Sequence, residues 1–184
     1  MSKVVFETER LTVRVSAPTD HDIDFLHTLW TTPEVMTNVG YPRGLQITRD
    51  NVREQLTGQG TVVYRSRLLA FAKSTGECIG ECMLSRPGKD GVSETDVKLM
   101  PKYWGRGYGT EIKRGLVDYL FTHTNCRGVR ATPNRSNVAS QRMQEAVGAR
   151  RVGEGVFEFP ESMRGYTSPV YYYEYLVTRV TWIR

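Results

Sequence analysis

The sequence predicts a single domain of the mixed α/β (α+β) class, from residue 1 to residue 184, with helices on both faces of a central sheet of about six to seven strands. Three observations favour this class. Hydrophobic residues make up 39% of the chain and glycines number 17, which is an ordinary globular composition. Segments that alternate at period two and segments with helical periodicity follow one another along the chain. A glycine-rich turn joins the end of one strand to the start of a long helix.

The beginning of the chain predicts one strand and one helix. Residues 12–15 alternate between polar and apolar side chains, which indicates a strand. Apolar residues then recur at helical spacing and predict an amphipathic helix over about 19–31. Ser16 or Thr19 is the candidate N-cap, because either hydroxyl can accept from the first turn, and Pro33 ends the helix.

A second, shorter helix follows after a loop. Thr48 caps this helix, which spans about 49–57, and we expect Gly58 to end it. The loop between the two helices, residues 38–44, carries aromatic and basic side chains. Its composition makes it a candidate part of a ligand-binding surface.

The middle of the chain has the pattern of antiparallel strands. The predicted strands cover 62–65 and 68–71 (either a strand pair or one long bent strand), 77–84 and 94–100. Gly76 supplies a positive φ for the turn between two of them, and residues 86–91 form a hairpin-like loop. Cys78 and Cys82 lie four residues apart in one strand, so we expect both to face the same side of the sheet.

The last part of the chain predicts two helices and three strands. In chain order they span about 108–123, 128–132, 136–147, 152–159 and 170–182. The second helix begins near Ser136 or Asn137 and ends at Gly148. The final strand is rich in aromatic and β-branched residues. As an edge strand it would offer a surface for a homodimer.

Composition excludes several classes of protein. No stretch of about 18 uninterrupted apolar residues is present, and the first residues lack the apolar region of a secretory signal. We therefore expect no membrane association and a cytoplasmic location. The three cysteines cannot all pair with one another and form no C-x-x-C motif, which favours reduced thiols. Three scattered histidines add too few ligands for zinc, so we expect no metal.

The charge distribution bears on the class of ligand. The formal net charge is +5, and basic residues are spread along the chain without a run of like charges. Such an excess favours anionic ligands by electrostatic steering. The sequence has neither zinc-finger spacing nor an aromatic RNA-binding motif, so we expect no nucleic-acid partner.

A glycine-rich segment is the part of the sequence with recognisable chemistry. Residues 103–111 are YWGRGYGTE, with three glycines at alternate positions between a strand and a helix. Glycine permits a tight turn and the close approach of a ligand to main-chain N–H groups. The N–H groups at a helix N-terminus are unpaired donors and lie at the positive end of the helix dipole, which predicts a site for an anion such as a diphosphate. The spacing fits neither a P-loop nor a dinucleotide fingerprint.

Three motifs resemble those of the GNAT N-acetyltransferases. The segment MPKYWGRGYGTE, residues 100–111, is similar to their coenzyme A pyrophosphate loop, and its W-G-x-G-Y-G-T-E form resembles the RimJ/RimL-like branch. The segment ETERLTVR, residues 7–14, resembles the opening strand of that branch. The segment NVASQRMQEAVGA, residues 137–149, resembles its N-x-x-S-x-R-x-x-E-x-x-G helix. The three motifs occur in the order of the family and span most of the chain.

The resemblance implies a reaction and a cosubstrate. GNAT enzymes transfer an acetyl group directly from acetyl-CoA to a primary amine, with the pantetheine arm held in a gap between two splayed strands. The main chain of Lys98, Leu99 and Met100 would bind this arm, and an N–H near Lys98 would polarise the thioester carbonyl. Asn137 would bind the pantetheine amide. The diphosphate would be held by Trp104, Gly105, Arg106, Gly107, Tyr108, Gly109 and Thr110.

The reaction also requires a base and an acid. The attacking amine must be neutral, and the leaving thiolate needs a proton. The resemblance points to Glu94 as the base, with Asp96 on the same face of the strand as the second candidate. The tyrosine that many relatives use as acid corresponds to Gln144, so Ser140 is the predicted proton donor. The three tyrosines at 171–173 are alternative donors.

The acceptor is predicted only as a class. We expect it to be an amine, either a small molecule or a protein N-terminus. Residues in the early helices and in the loop before the last strand would contact it: Trp30, Tyr41, Arg43, Glu158, Glu161 and Arg164. Two alternatives remain open, a catalytically silent GNAT-fold sensor that binds CoA and an acyltransferase that uses another acyl-CoA.

Overall fold

The computed structural model describes residues 3–60 and 62–182, which form an eight-stranded sheet covered by helices. The strands are β1 (Val4–Glu7), β2 (Leu11–Val15), β3 (Leu68–Ala72), β4 (Cys78–Leu84), β5 (Val92–Leu99), β6 (Gly128–Ala131), β7 (Arg150–Phe157) and β8 (Val170–Thr178). The helices are α1 (Asp20–Thr31), α2 (Pro33–Met36), α3 (Arg49–Gln59), α4 (Tyr108–His123) and α5 (Val138–Ala146). Short 3₁₀ turns cover Thr37–Val39, Pro101–Tyr103 and Glu161–Met163.

The sheet is mixed, with the strand order β1-β2-β3-β4-β5-β6-β8-β7. Among the strands of the described residues, β5 and β6 are the one parallel pair. One apolar core lies under α1, α2 and α3, and a second lies under α4 on the opposite face, which confirms the predicted class. The strand beyond the predicted number is β1, a four-residue edge strand whose short, partly exposed sequence shows no clear alternation.

Helix boundaries were largely predictable. Helix α4 has the predicted bounds, and α1 begins after Thr19, whose hydroxyl accepts from the first turn. The predicted end of the second helix at Gly58 is wrong, because α3 continues through this residue to Gln59 and is followed by the C-cap Gly60, where φ is 63°. A glycine inside a helix costs only about 1 kcal/mol relative to alanine, which a helix held by the capping box at Thr48 can absorb.

Two segments predicted as strand are turns. Residues 62–65 form a turn rather than a strand, because Arg65 adopts a left-handed φ of 62° that breaks the extended backbone. A hydrogen bond from the Arg65 N–H to the Leu84 carbonyl (2.8 Å) holds this turn against the end of β4. The last strand ends at Thr178 rather than at residue 182. The N–H of Thr181 donates to the Thr178 carbonyl (3.1 Å), which closes a turn.

A β-bulge in β4 separates the two cysteines of that strand. Gly80 and Cys78 pair with successive residues of β3, the second of them Phe71, so Ile79 is an extra residue in β4. An extra residue reverses the alternation of side chains between the faces of a sheet. Cys78 therefore packs in the core under α1–α3 and Cys82 in the core under α4. The prediction that they share a face is wrong because it assumed an unbroken strand.

The position of the last strand also differs from the prediction. Strand β8 lies between β6 and β7 and pairs with both, so it is not an edge strand. The edge is β7, which precedes β8 in the chain and lies outside it in the sheet. A dimer formed by adding strands would therefore involve β7 or β1 rather than the aromatic strand β8.

The feature that creates the site is a divergence between β5 and β6. Their pairing covers three residue pairs and ends at Glu94 and Arg130. Strand β5 continues to Leu99, whereas β6 ends at Ala131. This is the splayed strand pair that was predicted. The cleft between them, of about 960 Å³, is called the strand gap here, and α4 and α5 contribute to its walls.

Two further observations concern membranes and metals. No helix within residues 3–60 and 62–182 is long and apolar enough to cross a membrane. In the same ranges no group of three or more His, Cys, Asp or Glu side chains is arranged to hold a metal ion. The three cysteines are buried free thiols, and burial raises the pKa of Cys82 well above the usual value for a thiol.

Candidate active site

The glycine loop, residues 104–110, connects the end of β5 to α4 and includes the first turn of that helix. Gly105 and Gly107 have φ angles of 72° and 79°, in the left-handed region that favours glycine. Gly107 is the N-cap of α4 and has no side chain with which to cap it. The N–H groups of the first turn are therefore open donors at the positive end of the helix dipole. This geometry suits a diphosphate.

Arg10, in the turn between β1 and β2, brings a positive charge to the glycine loop. Its guanidinium donates to the Arg106 carbonyl (3.1 Å), lies over the Tyr108 ring (4.5 Å to the centroid) and pairs with Glu111 (2.6 Å). Glu111 also accepts from the Thr8 hydroxyl (2.5 Å) and the Arg10 N–H (2.9 Å). Burial disfavours the charged form of Glu111, but these hydrogen bonds and the Arg10 charge hold its pKa below the usual range.

Sequence reasoning missed the role of Arg10 at this site. The residue lies in the motif that resembles the opening strand of the family, and Glu111 lies at the end of the glycine motif. The two motifs are about 100 residues apart, and only the fold shows that their charges meet. The available signal was a basic residue, Arg10, in the first motif and an acidic residue, Glu111, in the second, which could form an ion pair.

The main chain of β5 presents alternate residues to the strand gap. The Met100 N–H donates to the Ile79 carbonyl (3.0 Å), and Lys98 has the same phase in the pairing of β5 with β4. A residue in this phase of an antiparallel pair directs its N–H and its C=O to the partner strand, and this applies to Lys98. Met100 lies just beyond the strand, and its carbonyl accepts from the Tyr103 N–H (2.9 Å). Main-chain binding of a ligand by Lys98 and Met100 is therefore incompatible with this arrangement. Val97 and Leu99 have the opposite phase and line the strand gap.

The other residues of the glycine loop surround its open end. Trp104 is 46% exposed, and its indole N–H donates to the Leu99 carbonyl (2.8 Å), which fixes the ring at the end of β5. Arg106 is exposed and contributes its carbonyl to Arg10. The loop residues that line the strand gap are Trp104, Gly105, Gly107, Tyr108, Gly109 and Thr110.

The first turns of α5 form the opposite wall of the strand gap. Asn137 is the N-cap, and its side-chain oxygen accepts from the Ser140 N–H (3.0 Å). The oxygen is thereby used within the helix, so Asn137 can offer a ligand its amide N–H groups. Ser140 is half-buried and lines the gap, as does Gln144, which is 3% exposed and whose side-chain oxygen has no hydrogen-bond partner in the described residues.

The two candidate bases lie on one face of β5 but have different partners. Glu94 is 64% exposed, and its ion-pair contact within the described residues is a long one, to Arg130 at 3.9 Å. Arg130 also pairs with Glu174 (3.2 Å) and Asp90 (2.8 Å), which shares its charge among several carboxylates. Asp96 is paired with Lys98. Burial would raise the pKa of Asp96, but the Lys98 charge and hydrogen bond outweigh it and lower the pKa.

A buried lysine in the strand gap was not predicted. Lys113 of α4 is 1% exposed, and its ammonium donates a hydrogen bond to the Thr95 hydroxyl on β5. Its position was available from the sequence, because Lys113, Leu116, Val117 and Leu120 follow the i, i+3, i+4, i+7 spacing of one helix face. A lysine on an otherwise apolar helix face is unusual, and it indicates a buried charge with a specific partner or function.

The alternative tyrosine donors lie elsewhere. The tyrosines at 171–173 belong to β8, and they are absent from the residues that line the strand gap in the described structure. The Tyr173 ring lies under the Arg151 guanidinium (3.5 Å to the centroid), and Tyr172 lies against Gly155 of β7. These contacts give the rings a packing role within the sheet.

The two predicted acceptor segments lie next to each other. Arg43 donates to the Gly165 carbonyl, the Tyr41 ring contacts the Phe159 ring edge to face (5.3 Å between centroids), and Glu161 pairs with Arg164 (3.0 Å). Trp30 differs from the others because it is buried, with its indole N–H donating to Glu81 (2.7 Å). It supports the floor of the sheet rather than an exposed contact surface.

The fold, the strand gap and the glycine loop together define an acetyltransferase of the GNAT class. The sequence profile of the acetyltransferase (GNAT) domain matches residues 10–150. The chain therefore belongs to the GNAT family and is an acetyl-CoA-dependent N-acetyltransferase.

Known proteins agree with this assignment. The uncharacterized N-acetyltransferase p20 of Bacillus licheniformis is 28% identical over 174 residues, which cover 92% of this chain and 94% of that protein. The spermidine N-acetyltransferase of Vibrio cholerae, in complex with CoA and spermine, has a TM-score of 0.76 at 19% identity, over 95% and 98% of the two chains. The aminoglycoside acetyltransferase AAC(6')-Ib, in complex with coenzyme A, has a TM-score of 0.69 at 23% identity, over 93% and 96%. At these identities the two structures establish a shared fold.

Proposed function

We propose that the chain is a RimJ/RimL-like enzyme that transfers an acetyl group from acetyl-CoA to a primary amine of a small molecule or a protein N-terminus. The observation that carries the proposal is the strand gap. One end meets the uncapped N-terminus of α4 at the glycine loop, and the other end closes beside Glu94. The site thus has a place for an anion, an extended channel and a carboxylate, in that order.

The proposed placement of acetyl-CoA follows the walls of the strand gap. The diphosphate lies on the glycine loop, where the first-turn N–H groups and Arg10 supply positive charge. The pantetheine arm lies along the free edge of β5, where Val97 offers its main-chain N–H and C=O and Leu99 offers its N–H, as an adjacent strand would. Asn137 faces the arm from α5. The thioester then reaches the closed end of the gap.

Glu94 is proposed as the general base. The residue lines the gap, its carboxylate is accessible to an incoming amine, and its ion-pair contact in the described part of the chain is a long one, to Arg130. Asp96 is the weaker candidate because its pairing with Lys98 stabilises its charged form. A stabilised carboxylate is a poorer proton acceptor. For the donor, the motif resemblance points to Ser140 on the opposite wall.

The carboxylates around the gap support a cationic acceptor. Glu94, Asp96 and Glu174 lie on the side of the sheet that α1–α3 cover, where the exposed end of the gap meets solvent. An ammonium group would be attracted to them and deprotonated on arrival by Glu94. Two alternatives differ from this proposal. A silent sensor would bind CoA without turnover, and an acyltransferase of another kind would accept a donor with a larger acyl group.

The proposal is tested by calorimetric titration of the protein with acetyl-CoA, with ATP and NADH as controls. A panel of polyamines, aminoglycosides and N-terminal peptides is then assayed for release of free CoA thiol. Selective binding of acetyl-CoA with thiol release on at least one amine is the expected result. Binding without turnover on any amine would favour the sensor, and a preference for succinyl-CoA would favour the other acyltransferase. Absence of binding to any acyl-CoA would overturn the proposal.

Three broader points remain proposals of the same kind. We take residues 1–184 as one GNAT domain, of which residues 1, 2, 61, 183 and 184 lie outside the described part. We expect a cytoplasmic location, and a homodimer in which the exposed apolar residues of edge strand β7, such as Val152 and Val156, are covered. Light scattering of the purified protein measures the oligomeric state directly.

A further inference from the structure

Lys113 lies at the closed end of the strand gap. Its ammonium donates to the hydroxyl of Thr95, which is the first residue of β5 beyond the last pair with β6, Glu94 with Arg130. The side chain is 1% exposed, and the residue lines the gap. Lysine is almost never fully buried without an ion-pair partner, because desolvation of an ammonium is costly. The residue therefore calls for an explanation beyond packing.

The proposed function places reacting atoms at this same point. A cosubstrate arm that enters from the glycine loop and follows β5 must end where β5 and β6 come together. This path brings the thioester sulfur beside Thr95 of β5. The Lys113 ammonium reaches the Thr95 hydroxyl from α4 and therefore lies at the same place. When an amine displaces the thiolate, the developing negative charge on sulfur requires a nearby proton.

Resting on the proposed function, we propose that Lys113 is the catalytic residue that protonates the leaving thiolate of coenzyme A. Glu94 first passes one proton from the bound ammonium to solvent. The neutral amine nitrogen then forms a bond to the thioester carbonyl carbon and loses a second proton to Glu94. The carbon–sulfur bond breaks, its electron pair goes to sulfur, and the Lys113 ammonium transfers a proton to that sulfur. Free CoA leaves as a thiol, and solvent returns a proton to neutral Lys113 and removes one from Glu94. This assignment replaces Ser140 as the donor.

The surroundings of Lys113 support a ligand in contact with it. An ammonium has three N–H donors, and the hydrogen bond seen for it in the described residues uses one, on Thr95. Gln144 on α5 lines the same gap, is 3% exposed and has an unpartnered side-chain oxygen. A buried acceptor without a donor indicates that a polar ligand group enters the gap here. An amide cannot supply a proton, so Gln144 is unsuitable as the acid.

The acid strength of Lys113 suits this task. Burial lowers its pKa to about 7, although the charge of Asp96 opposes the shift. An acid is most effective when its pKa lies near the working pH. Besides Asp96, the charged groups that line the gap are Glu94, Lys98, Arg130 and Arg142. The tyrosines that line it belong to the glycine loop and the turn before that loop. Of all these groups, Asp96 is the one whose charge raises the pKa of Lys113.

The test compares Lys113→Met with wild type and with the exposed control Lys89→Met. We expect Lys113→Met to bind acetyl-CoA with an affinity within about twofold and to lose on the order of 10²-fold in kcat. Its melting temperature is expected to equal or exceed that of wild type, because an apolar chain of similar length replaces a desolvated charge. A structural role for Lys113 would instead lower the melting temperature. Lys89→Met should match wild type throughout.

The pH profile distinguishes proton transfer from positioning. In wild type, kcat is expected to fall above the pKa of Lys113, and Lys113→Met should lack this falling limb. Lys113→Arg should remain slow, because a guanidinium does not release its proton in this range. Thr95→Val keeps the lysine but removes its hydrogen-bond acceptor, so the limb should move to lower pH.

Two results would overturn the inference. The first is an unchanged kcat and pH profile in Lys113→Met. The second is stoichiometric acetylation of Lys113 by acetyl-CoA, seen as a mass increase of that peptide, since its nitrogen would then be a nucleophile. Failure of the wild-type protein to bind acetyl-CoA is a different outcome, which overturns the proposed function itself.

Discussion

Glu94 and Asp96 illustrate how single contacts divide similar residues into different roles. They are two residues apart on one face of β5, yet Asp96 is held in an ion pair by Lys98, whereas Glu94 has a long contact to a shared arginine. Burial raises the pKa of Asp96, but the ion pair with Lys98 has the larger effect and lowers it. A base must be free to accept a proton, so the less constrained carboxylate is the better candidate.

The substitution Glu94→Gln tests this assignment. We expect kcat/KM to fall by on the order of 10²-fold near neutral pH, with acetyl-CoA affinity unchanged. The loss should be smaller at high pH, where solvent already deprotonates the acceptor amine. Steady-state rates at several pH values check the prediction, with Glu54→Gln on the exposed face of α3 as the control. Wild-type rates in Glu94→Gln would exclude Glu94 as the base.

The substitution Gly107→Glu tests the glycine loop. A side chain at φ 79° is strained, its Cβ would lie 3.4 Å from the Arg10 guanidinium, and its carboxylate would repel a diphosphate. We expect acetyl-CoA affinity to fall by at least about 100-fold, or about 2.7 kcal/mol. Gly148→Glu is the matched control, since Gly148 has the same φ of 79° and open space around it at the far end of α5. Equal calorimetric affinities in the two variants would contradict the loop assignment.

At the scale of elements, the contact between the β1–β2 turn and α4 orients the glycine loop. Glu111 accepts three hydrogen bonds from Thr8 and Arg10, and the Arg10 guanidinium continues to the carbonyl of Arg106. The first hairpin of the sheet is thereby fixed to the start of α4. Because several charged and neutral donors converge on one carboxylate, its removal should affect both stability and binding.

The substitution Glu111→Gln is expected to lower the free energy of unfolding by about 1–3 kcal/mol near neutral pH. The hydrogen bonds lower the pKa of Glu111 in the folded state. The stabilisation is therefore complete above the unfolded pKa of about 4.3 and is lost as pH falls through the folded value. Denaturant titrations at several pH values should show the two proteins converging in acid. Glu9→Gln, in the same turn, is the control, and a pH-independent difference would contradict the explanation.

Two glycines in helix interiors provide a matched pair. Gly58 of α3 has open space around it, so Gly58→Ala should stabilise the protein by about 0.5–1 kcal/mol through helix propensity alone. A Cβ at Gly115 of α4 would overlap the Phe6 ring of β1, so Gly115→Ala should destabilise the protein. Thermal melts should shift in opposite directions. Shifts of the same sign would show that β1 does not pack on α4 as described.

The sequence predicted elements well where the signal is local. The alternating glycines placed the start of α4, and the apolar spacing along that helix placed its end. The bulge at Ile79 was not predictable, because an extra residue leaves no mark in composition and shows only in the pairing with β3. The register of β5, which directs the main-chain groups of Lys98 away from the strand gap and toward β4, has the same non-local origin. Motif resemblance identified the residues near the site but not the direction of their main chains.

For the candidate site, too, the sequence predicted what local motifs carry and missed what only the fold brings together. Asn137, Ser140 and the glycine loop apart from Arg106 line one cleft, and the roles that the motif resemblance gives them there are predictions. Arg10 and Lys113 were missed because their surroundings are created by the fold, the first by the hairpin against α4 and the second by the burial of one helix face. A charge in an apolar stripe was a usable signal for Lys113.

At the scale of the whole molecule, the excess of positive charge is distributed rather than concentrated. The chain has 25 basic and 20 acidic residues, and many arginines are paired with carboxylates, among them Arg14 with Asp22 and Arg49 with Asp24. Pairing removes most of the long-range attraction that a free cation would exert. The remaining field favours a small anion at the glycine loop over a polyanion along the surface.

Salt dependence tests this view of the charge. We expect any retention of duplex DNA in a gel shift at 50 mM salt to disappear at about 200 mM, as for non-specific contacts. Acetyl-CoA binding should weaken only modestly over the same range, because its contacts include main-chain donors and apolar walls. DNA binding that persists at high salt, or loss of acetyl-CoA binding there, would contradict the expectation.

The divergence of β5 and β6 has a consequence for how the chain might be divided and reassembled. Three residue pairs join the half-sheet of β1–β5 to the half-sheet of β6, β8 and β7. In sequence they are connected by the glycine loop, α4 and a short loop that includes the exposed residue Asn125. A break in this loop would give two fragments that meet along the strand gap. Acetyl-CoA would touch both fragments, so its binding energy would add to their association. A break in this loop is therefore a natural way to build a split reporter whose reassembly across the strand gap responds to the concentration of acetyl-CoA.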